Sequence, residues 1–150
     1  MKRAIFPGTF DPFTIGHYNL VMRGLDIFDE IIIGIGVNLS KKTLFDAGKR
    51  IDIIRQAFSN EPRVRVMTYD SLTVDFAASV EAKYILRGLR TVSDFEYEHT
   101  IANANRQLNG LETVVLFTET EYSFISSIVV RDLIVYGKDI TAFLPPHVKL

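Results

Sequence analysis

The residues of this chain that are best suited to chemistry follow a short apolar run near its start. The run 4–6 predicts a buried strand, and Pro-Gly-Thr-Phe-Asp-Pro-Phe-Thr-Ile-Gly-His follows at 7–17. A strand, a glycine-bearing turn and a helix N-terminus together place backbone N–H groups and the positive end of a helix dipole at one point. Gly8 and Gly16 are expected to let a ligand approach the backbone. His17, in the first helical turn, can donate to a phosphate oxygen. An ordinary strand-turn-helix is the alternative.

Two arginines form the second group of candidate residues. Arg87 and Arg90 flank Gly88 directly after an apolar run. A guanidinium group suits phosphate because its planar fork donates two parallel hydrogen bonds. Gly88 is expected to form a turn there and to expose backbone N–H groups. The alternative role for both arginines is surface ion pairing with Asp94, Glu96 or Glu98.

Two more segments carry hydrogen-bond donors suited to phosphate. Lys41 and Lys42 follow the apolar run 30–37, at the strand end where Thr9 is also expected, although paired lysines in a loop are commonly solvated surface. Tyr-Ser-Phe-Ile-Ser-Ser at 122–127 opens an amphipathic pattern. Hydroxyl groups at a helix N-terminus cap the helix and can also bind phosphate. Capping alone is the alternative for these serines.

Apolar runs and amphipathic patterns alternate along the chain. They predict strands near 3–6, 30–37, 64–68, 84–86 and 113–117, and helices near 16–28, 47–58, 72–80, 93–108 and 126–136. This alternation predicts an α/β fold with an open, parallel five-stranded sheet and helices on both faces. Ligands of such sheets bind at the carboxyl ends of the strands, where strand order reverses, so the candidate residues should meet there.

Two local features of these patterns lead to structural expectations. Gly34 and Gly36 lack the third glycine of a dinucleotide-binding motif, so we interpret them as positions where a helix packs closely on a strand. Ser71 is expected to cap the third helix. The inward-facing residues of that helix are expected to be Val74, Ala77 and Ala78.

Length and composition limit the class of protein. The 150 residues predict one domain, 1–150, large enough to bury a core, and none of the apolar runs approaches the roughly 18 residues of a membrane span. The charged start leads straight into a strand, so a signal peptide is not expected. The chain has no cysteine, which excludes disulfides and thiolate metal sites and fits a cytoplasmic location. A net charge of −1 argues against a nucleic-acid partner.

These motifs resemble the nucleotidylyltransferase superfamily, whose members attack the α-phosphate of a nucleoside triphosphate and release pyrophosphate. Thr-x-Gly-His at 14–17, Ser-Lys-Lys at 40–42, Arg-Gly-Leu-Arg at 87–90 and Ile-Ser-Ser at 125–127 follow the order of its phosphopantetheine adenylyltransferase branch. The resemblance runs from Arg3 to about Pro146. It implies a Rossmann-like nucleotidylyltransferase fold and reversible adenylyl transfer from ATP to 4′-phosphopantetheine. The products would be dephospho-coenzyme A and pyrophosphate, in coenzyme A biosynthesis.

The resemblance also implies roles for individual residues. His17 would be the catalytic residue, and the acceptor would be bound by Thr9, Lys41, Thr73 and Arg87. ATP would be bound by Thr9, Phe10, His17, Gly88, Leu89, Arg90, Glu98, Tyr122, Ser123, Phe124, Ile125, Ser126, Ser127 and Ile128. Residues Ala102, Asn105 and Arg106 would serve the acceptor or subunit packing. Mg²⁺ would bridge triphosphate oxygens without dedicated protein ligands, and the chain would form a cytoplasmic homohexamer.

Two positions depart from the family pattern. Family members commonly have a third hydroxyl where this chain has Ile128, so the Ile128 backbone is expected to contribute there. The run 46–50 has a lysine where an acidic residue usually precedes Arg50, which we interpret as surface variation.

Two alternative functions are open at this point. One is another small-molecule nucleotidylyltransferase, such as a cytidylyltransferase or a nicotinamide-mononucleotide enzyme; the runs 40–42 and 87–90 argue against it. The other is a nucleotide-binding sensor without catalysis, against which an intact His17 and Lys41 argue.

Overall fold

The computed structural model describes residues 1–38 and 40–150, so Leu39, in the loop before Lys41, lies outside the described residues. The strands are β1 (Arg3–Gly8), β2 (Glu30–Gly36), β3 (Val64–Tyr69), β4 (Tyr84–Leu89) and β5 (Glu112–Phe117). The α-helices are α1 (Ile15–Gly24), α2 (Ala47–Ala57), α3 (Thr73–Ser79), α4 (Val92–Asn109) and α5 (Ser127–Val135). Single 3₁₀ turns cover Thr120–Tyr122 and Thr141–Phe143.

The strands of the described chain form one parallel sheet in the order β3-β2-β1-β4-β5. The chain lays down β1, β2 and β3 in one direction and then returns to place β4 on the other side of β1. A reversal of this kind leaves a crevice between the carboxyl ends of the two central strands. The predicted α/β architecture is therefore confirmed, and the crevice lies between β1 and β4.

Helices cover both faces of the sheet. Alternate side chains of a strand point to opposite faces, so Phe6 enters the core beneath α1, α2 and α5, while Ile5 enters the core beneath α3. Strand β2 supplies Ile33 to the first core and Ile32 to the second, which explains its continuous apolar sequence. None of the helices within 1–38 and 40–150 is long and apolar enough to cross a membrane.

The prediction of a turn at Gly88 was wrong. Strand β4 continues to Leu89, and Arg87 and Gly88 pair with Val115 and Leu116 of β5. A Cβ atom at Gly88 would lie 3.1 Å from Cδ2 of Leu20. The glycine therefore makes room for α1 within a strand, and only Arg90 follows the strand end.

The predictions for α3 were correct in part. Leu72 occupies the N-cap position and no side chain caps the helix; the Ser71 hydroxyl donates instead to the Leu72 carbonyl, so Ser71 is not the cap. Val74 and Ala77 are buried as expected, but Ala78 is exposed. Phe76 is buried in its place, because its ring fills the space beside Gly34, where a Cβ atom would lie 2.5 Å from the ring. Gly36, whose Cβ would meet nothing nearer than 3.8 Å, is not a close-packing position.

Candidate active site

A cleft of about 810 Å³ opens at the carboxyl ends of β1 and β4, where strand order reverses. Cationic side chains outnumber carboxylates along its walls. The cations are Lys41, Lys42, Arg87, Arg90 and Arg131, and the carboxylates are Asp11, Asp94 and Glu98. An excess of positive charge in a concave site attracts anionic ligands, so the cleft suits a polyphosphate.

The His17 side chain has a fixed orientation in this cleft. Its Nδ1 accepts a hydrogen bond from the Thr14 backbone N–H at 2.9 Å, and the His17 backbone N–H donates to the Thr14 hydroxyl. These two hydrogen bonds form a capping box at the start of α1. The imidazole packs among the rings of Phe6, Phe10 and Phe13, with centroids 5.0–6.1 Å away. Because Nδ1 accepts, the neutral ring carries its proton on Nε2, which is left to donate.

The environment of His17 also sets its charge. Burial, followed by the positive charges of Arg87 and Arg90, lowers the pKa of the imidazole to about 3 from an ordinary value of 6.5. The ring is therefore neutral at physiological pH. It can donate a hydrogen bond to an anionic oxygen but does not act as an acid that is protonated at both nitrogens.

Two helix N-termini point into the cleft. Gly16 and His17 of α1 and Ser127 and Ile128 of α5 line it. The backbone N–H groups of Ile15 and Gly16, and likewise of Ser127 and Ile128, have no backbone acceptor among the described residues. Free N–H groups and the positive ends of two helix dipoles make this part of the cleft an anion site.

Thr9 and Lys41 meet across the mouth of the cleft. The Lys41 ammonium donates to the Thr9 hydroxyl at 2.8 Å, although the two residues belong to different strand ends. Phe10, at a φ of 52°, turns its ring back over Gly8, where a Cβ atom would lie 2.8 Å from that ring. The Phe10 ring, 4% exposed, fills the space on that side of Gly8. Gly8 itself lines the cleft, so the approach of a ligand to its backbone stays a prediction.

Both arginines of the second motif are ion-paired and also line the cleft. Arg87 donates to both carboxylate oxygens of Glu98, at 2.9 and 2.6 Å, and to the Pro7 carbonyl at 2.9 Å. The Arg90 backbone N–H donates to Asp94 at 3.0 Å, and its Nε lies 3.5 Å from the same carboxylate. Ion pairing and an anion-binding position are therefore not alternatives here, because the carboxylates fix guanidinium groups that face the cleft.

A smaller pocket of about 300 Å³ adjoins the cleft. Its apolar side chains include Val74 of α3 and Ile101 and Leu108 of α4, and the same two helices add Thr73, Ala102 and Asn105 as polar and small groups. Arg106 lies outside it, 3.7 Å from Glu112. The residues that line both compartments form the wall at which the cleft and the pocket meet; they are Pro7, Gly8, Arg87, Tyr97 and Glu98.

The structure brings most of the predicted site residues to these two compartments. Thr73 lines the small pocket, and the cleft is lined by Thr9, Phe10, His17, Lys41, Arg87, Gly88, Arg90, Glu98, Tyr122, Ile125, Ser126, Ser127 and Ile128. Leu89, Ser123 and Phe124 line neither compartment. Ser126 caps α5 by accepting from the Val129 N–H, and the Ser127 hydroxyl donates to the Pro12 carbonyl. For these serines, capping and structural bonding therefore occur beside the cleft.

Sequence reasoning missed three charged residues at the site. Asp11, 3% exposed, accepts hydrogen bonds from the backbone N–H groups of Leu44 and Phe45. Arg131 donates to the Asp11 carbonyl at 2.8 Å; its position one helical turn after Ser127 could have indicated it. Arg50, to which the sequence analysis gave no role, is 5% exposed and donates to the Thr9 carbonyl.

Known proteins share both the sequence and the fold. A family model described as cytidylyltransferase-like matches residues 5–133. The protein named phosphopantetheine adenylyltransferase from Phocaeicola vulgatus is 58% identical over 150 residues, covering 100% of this chain and 99% of that protein. The protein of the same name from Bacteroides fragilis is 55% identical and covers 100% of both chains.

A solved structure extends the likeness in fold. It is a bifunctional NMN adenylyltransferase/ADP ribose pyrophosphatase complexed with AMP and Mn ion from Francisella tularensis. Its TM-score is 0.70 at 13% identity, over 95% of this chain and 44% of that one, which shows the fold alone. The identity to the curated relatives over the whole length carries the assignment further. The chain belongs to the phosphopantetheine adenylyltransferase family.

Proposed function

We propose that this chain transfers an adenylyl group from ATP to 4′-phosphopantetheine, giving dephospho-coenzyme A and pyrophosphate, and catalyses the reverse reaction. The observation that carries this proposal is the wall shared by the two compartments. A cationic cleft suits a nucleoside triphosphate, and a smaller apolar pocket suits the arm of an acceptor. Arg87 and Glu98 stand where the two ligands would meet.

The chemistry requires positioning and charge stabilisation. The acceptor phosphate is already an anion, so one of its oxygens attacks the α-phosphorus of ATP without a general base. The new P–O bond forms as the bond from the α-phosphorus to the bridging oxygen breaks, and pyrophosphate leaves with that electron pair. Preorganised donors lower the barrier of such in-line transfers. His17 Nε2 is the donor we place on the α-phosphoryl oxygens.

Separate groups would hold the two substrates. On the ATP side, the N-termini of α1 and α5 and the Arg90 side chain would bind the triphosphate. On the acceptor side, Lys41 and Thr9 would bind the phosphate, because their side chains already meet at 2.8 Å. Thr73 and the apolar wall of the small pocket would take the arm. This division leaves the reacting atoms near His17.

Mg²⁺ is part of the proposal. The carboxylates of the cleft are engaged, Asp11 with two backbone N–H groups and Glu98 with Arg87. Groups of three or more metal-ligating side chains are not found among residues 1–38 and 40–150. This donor set fits an ion whose ligands are mainly phosphate oxygens and water. When bound, the ion would supply positive charge beside the leaving pyrophosphate, and chelation by EDTA should stop pyrophosphate release until Mg²⁺ is added back.

We also propose that the chain forms a homo-oligomer, a hexamer by the family resemblance, in the cytoplasm, where ATP is available. Exposed apolar residues support an oligomer. They include Phe117 at the end of the edge strand β5 and Val135 and Tyr136 at the end of α5, which are 77%, 69% and 79% exposed. Large exposed apolar side chains, one of them on an open strand edge, favour burial against another chain.

A panel of nucleotides and acceptors tests the proposed function. Purified protein is incubated with ATP or CTP and with 4′-phosphopantetheine or nicotinamide mononucleotide, and pyrophosphate release is measured. Release with ATP and 4′-phosphopantetheine only is expected. Turnover with CTP or nicotinamide mononucleotide instead would establish another nucleotidylyltransferase, and ATP binding without turnover on any acceptor would establish a sensor. A His17→Ala variant controls for contaminating activity.

A further inference from the structure

Arg50 is a buried cation without an acidic partner. Its residue is 5% exposed, and none of the ion pairs among the described residues includes it. The guanidinium group donates instead to backbone carbonyls. Nε lies 3.1 Å from the Phe45 oxygen and 3.4 Å from the Asp46 oxygen, and Nη1 lies 2.9 Å from the Thr9 oxygen. Burial of a charge is costly unless the charged group is well hydrogen-bonded. We therefore asked what the buried Arg50 guanidinium group does.

The carbonyls that Arg50 binds belong to two different segments. Thr9 lies in the turn after β1, and Phe45 lies at the end of the loop that follows β2 and carries Lys41. Arg50 therefore joins the turn to the loop through one rigid, planar group. Asp11 makes a second link between the same two segments, since its carboxylate accepts from the N–H groups of Leu44 and Phe45.

The side chains that these segments present are those that meet at the cleft mouth. The Thr9 hydroxyl accepts from Lys41 at 2.8 Å, and both residues line the cleft, whereas Arg50 does not. A small shift of the loop against the turn would separate the two groups. Misplacement of binding groups by about 1 Å can cost about a hundredfold in rate.

We propose that Arg50 is a positioning residue that locks the Thr9 turn to the Lys41 loop, so that the Thr9 hydroxyl and the Lys41 ammonium bind one acceptor phosphate together. This inference rests on the proposed function for the identity of the acceptor. It assigns Arg50 no contact with either substrate. Its effect should therefore concern the acceptor phosphate and should depend on Lys41.

The test compares Arg50→Met with Arg55→Met, a matched control on an exposed position of the same helix. Calorimetry measures binding of 4′-phosphopantetheine, of pantetheine, which lacks the phosphate, and of ATP. We expect Arg50→Met to weaken 4′-phosphopantetheine binding by about tenfold to a hundredfold, with pantetheine and ATP within about threefold of the parent. Arg50→Lys, which keeps the charge and one donor group, should recover part of the loss, and Arg55→Met should match the parent.

A double variant separates positioning from general structural damage. In a Lys41→Met background, Arg50→Met should change 4′-phosphopantetheine affinity by less than about threefold, because the group it positions is gone. Equal losses in both backgrounds, or a parallel loss of ATP affinity, would overturn the proposal. If Arg50→Met does not fold, Arg50→Gln and Arg50→Lys are compared in the parent and Lys41→Met backgrounds instead.

A readout independent of the acceptor keeps this inference distinct from the proposed function. If the parent protein binds no 4′-phosphopantetheine, the proposed function fails, and a crystal structure of the folded Arg50 variant decides about positioning. Loss of the hydrogen bond between Lys41 and Thr9 would support the role of Arg50. An unchanged bond of about 2.8 Å in that variant would contradict it.

Discussion

The proposed function gives His17 a chemical role in addition to its structural one. Nδ1 closes the capping box of α1 by accepting the Thr14 N–H, and this bond leaves the proton on Nε2. Three phenylalanine rings exclude water from the sides of the imidazole and favour its neutral form. The same contacts that stabilise the start of the helix therefore leave a neutral donor at the cleft, which the proposed mechanism uses for an anionic transition state.

Substitution of His17 should separate these roles. His17→Ala loses the cap, worth about 1 kcal/mol, and the donor, worth about 10²–10³ in kcat. His17→Gln keeps an acceptor at the third helical position, so its thermal stability should stay near that of the parent while kcat still falls. kcat, ATP affinity and melting temperature are measured on one preparation of each variant. A well-folded His17→Gln protein with normal kcat would mean that the cap is the whole contribution of His17.

The low pKa of His17 predicts how stability depends on pH. Its folded pKa, about 3, lies below the ordinary value of 6.5, so between these values the unfolded chain binds a proton that the folded chain does not. The contribution of His17 to the free energy of unfolding is fully present above pH 6.5. It is lost as pH falls towards 3, by up to about 1.4 kcal/mol for each pH unit. Denaturant unfolding of the parent and of His17→Gln at pH 7.5 and pH 5 should show the larger loss in the parent. Equal losses would contradict the shift.

The candidate residues could be recognised from the sequence, but their partners could not. Thr9, His17, Lys41 and Arg87 stand out by type and by position after apolar runs. Arg50 does not, because its role depends on carbonyl groups of Thr9 and Phe45 that the sequence does not distinguish from any others. Backbone acceptors brought together from separate segments are visible only in the folded chain.

At the scale of elements, α3 sits closely on the sheet because Gly34 has no side chain. The Phe76 ring lies against Gly34 and stacks on Tyr69, with ring centroids 4.4 Å apart. The Tyr69 hydroxyl lies 3.2 Å from the Thr73 hydroxyl in the first turn of α3. One glycine in β2 therefore determines how near the helix brings Thr73 to the small pocket.

Gly34→Ala should displace α3. Its Cβ atom would lie 2.5 Å from the Phe76 ring, and overpacking of this kind costs about 1–3 kcal/mol. We also expect weaker binding of 4′-phosphopantetheine, with ATP affinity retained. Gly36→Ala, two residues along the same strand and with nothing nearer than 3.8 Å, is the control and should do little. Chemical denaturation and calorimetry of both variants test this; equal effects would refute the role of close packing.

Apolar periodicity predicted the number, type and order of the strands and α-helices. It did not predict where β4 and α1 end. The run 87–90 carries a glycine between charged residues, which is typical of a turn, yet pairing with β5 extends the strand through Leu89. Helix α1 ends at Gly24, before the predicted Phe28. For β4 the pairing with a neighbouring strand overrides local preference. After Gly24 the chain continues in turns, in which the Ile27 and Phe28 N–H groups both donate to the Gly24 carbonyl.

At the scale of the whole molecule, an edge of the sheet exposes a large apolar side chain. Strand β5 lies at an edge of the sheet in the described chain, and Phe117 at its end is 77% exposed. An open edge with a large apolar side chain is a site where chains associate. The homo-oligomer proposed above would cover it.

Phe117→Lys should reduce the size of the assembly. A charge at the centre of an apolar contact is costly to bury, so sedimentation velocity should show a smaller species than for the parent. Ile27→Lys is the control, since Ile27 is 43% exposed but precedes β2 at the opposite end of the strands. A parent protein that sediments as a monomer, or a Phe117→Lys protein of unchanged size, would contradict the proposal.

The two helix N-termini of the cleft come from α1 and α5, which are far apart in the sequence. During synthesis on a ribosome, the residues of α1 emerge long before Ser127 and Ile128. The anion site is therefore incomplete until α5 has been added, and under the proposed function ATP would stabilise chains that contain both helices more than shorter ones. Because a ligand stabilises only the state that binds it, by about 2.7 kcal/mol at a hundred times its Kd, nucleotide would favour the finished fold over every shorter intermediate.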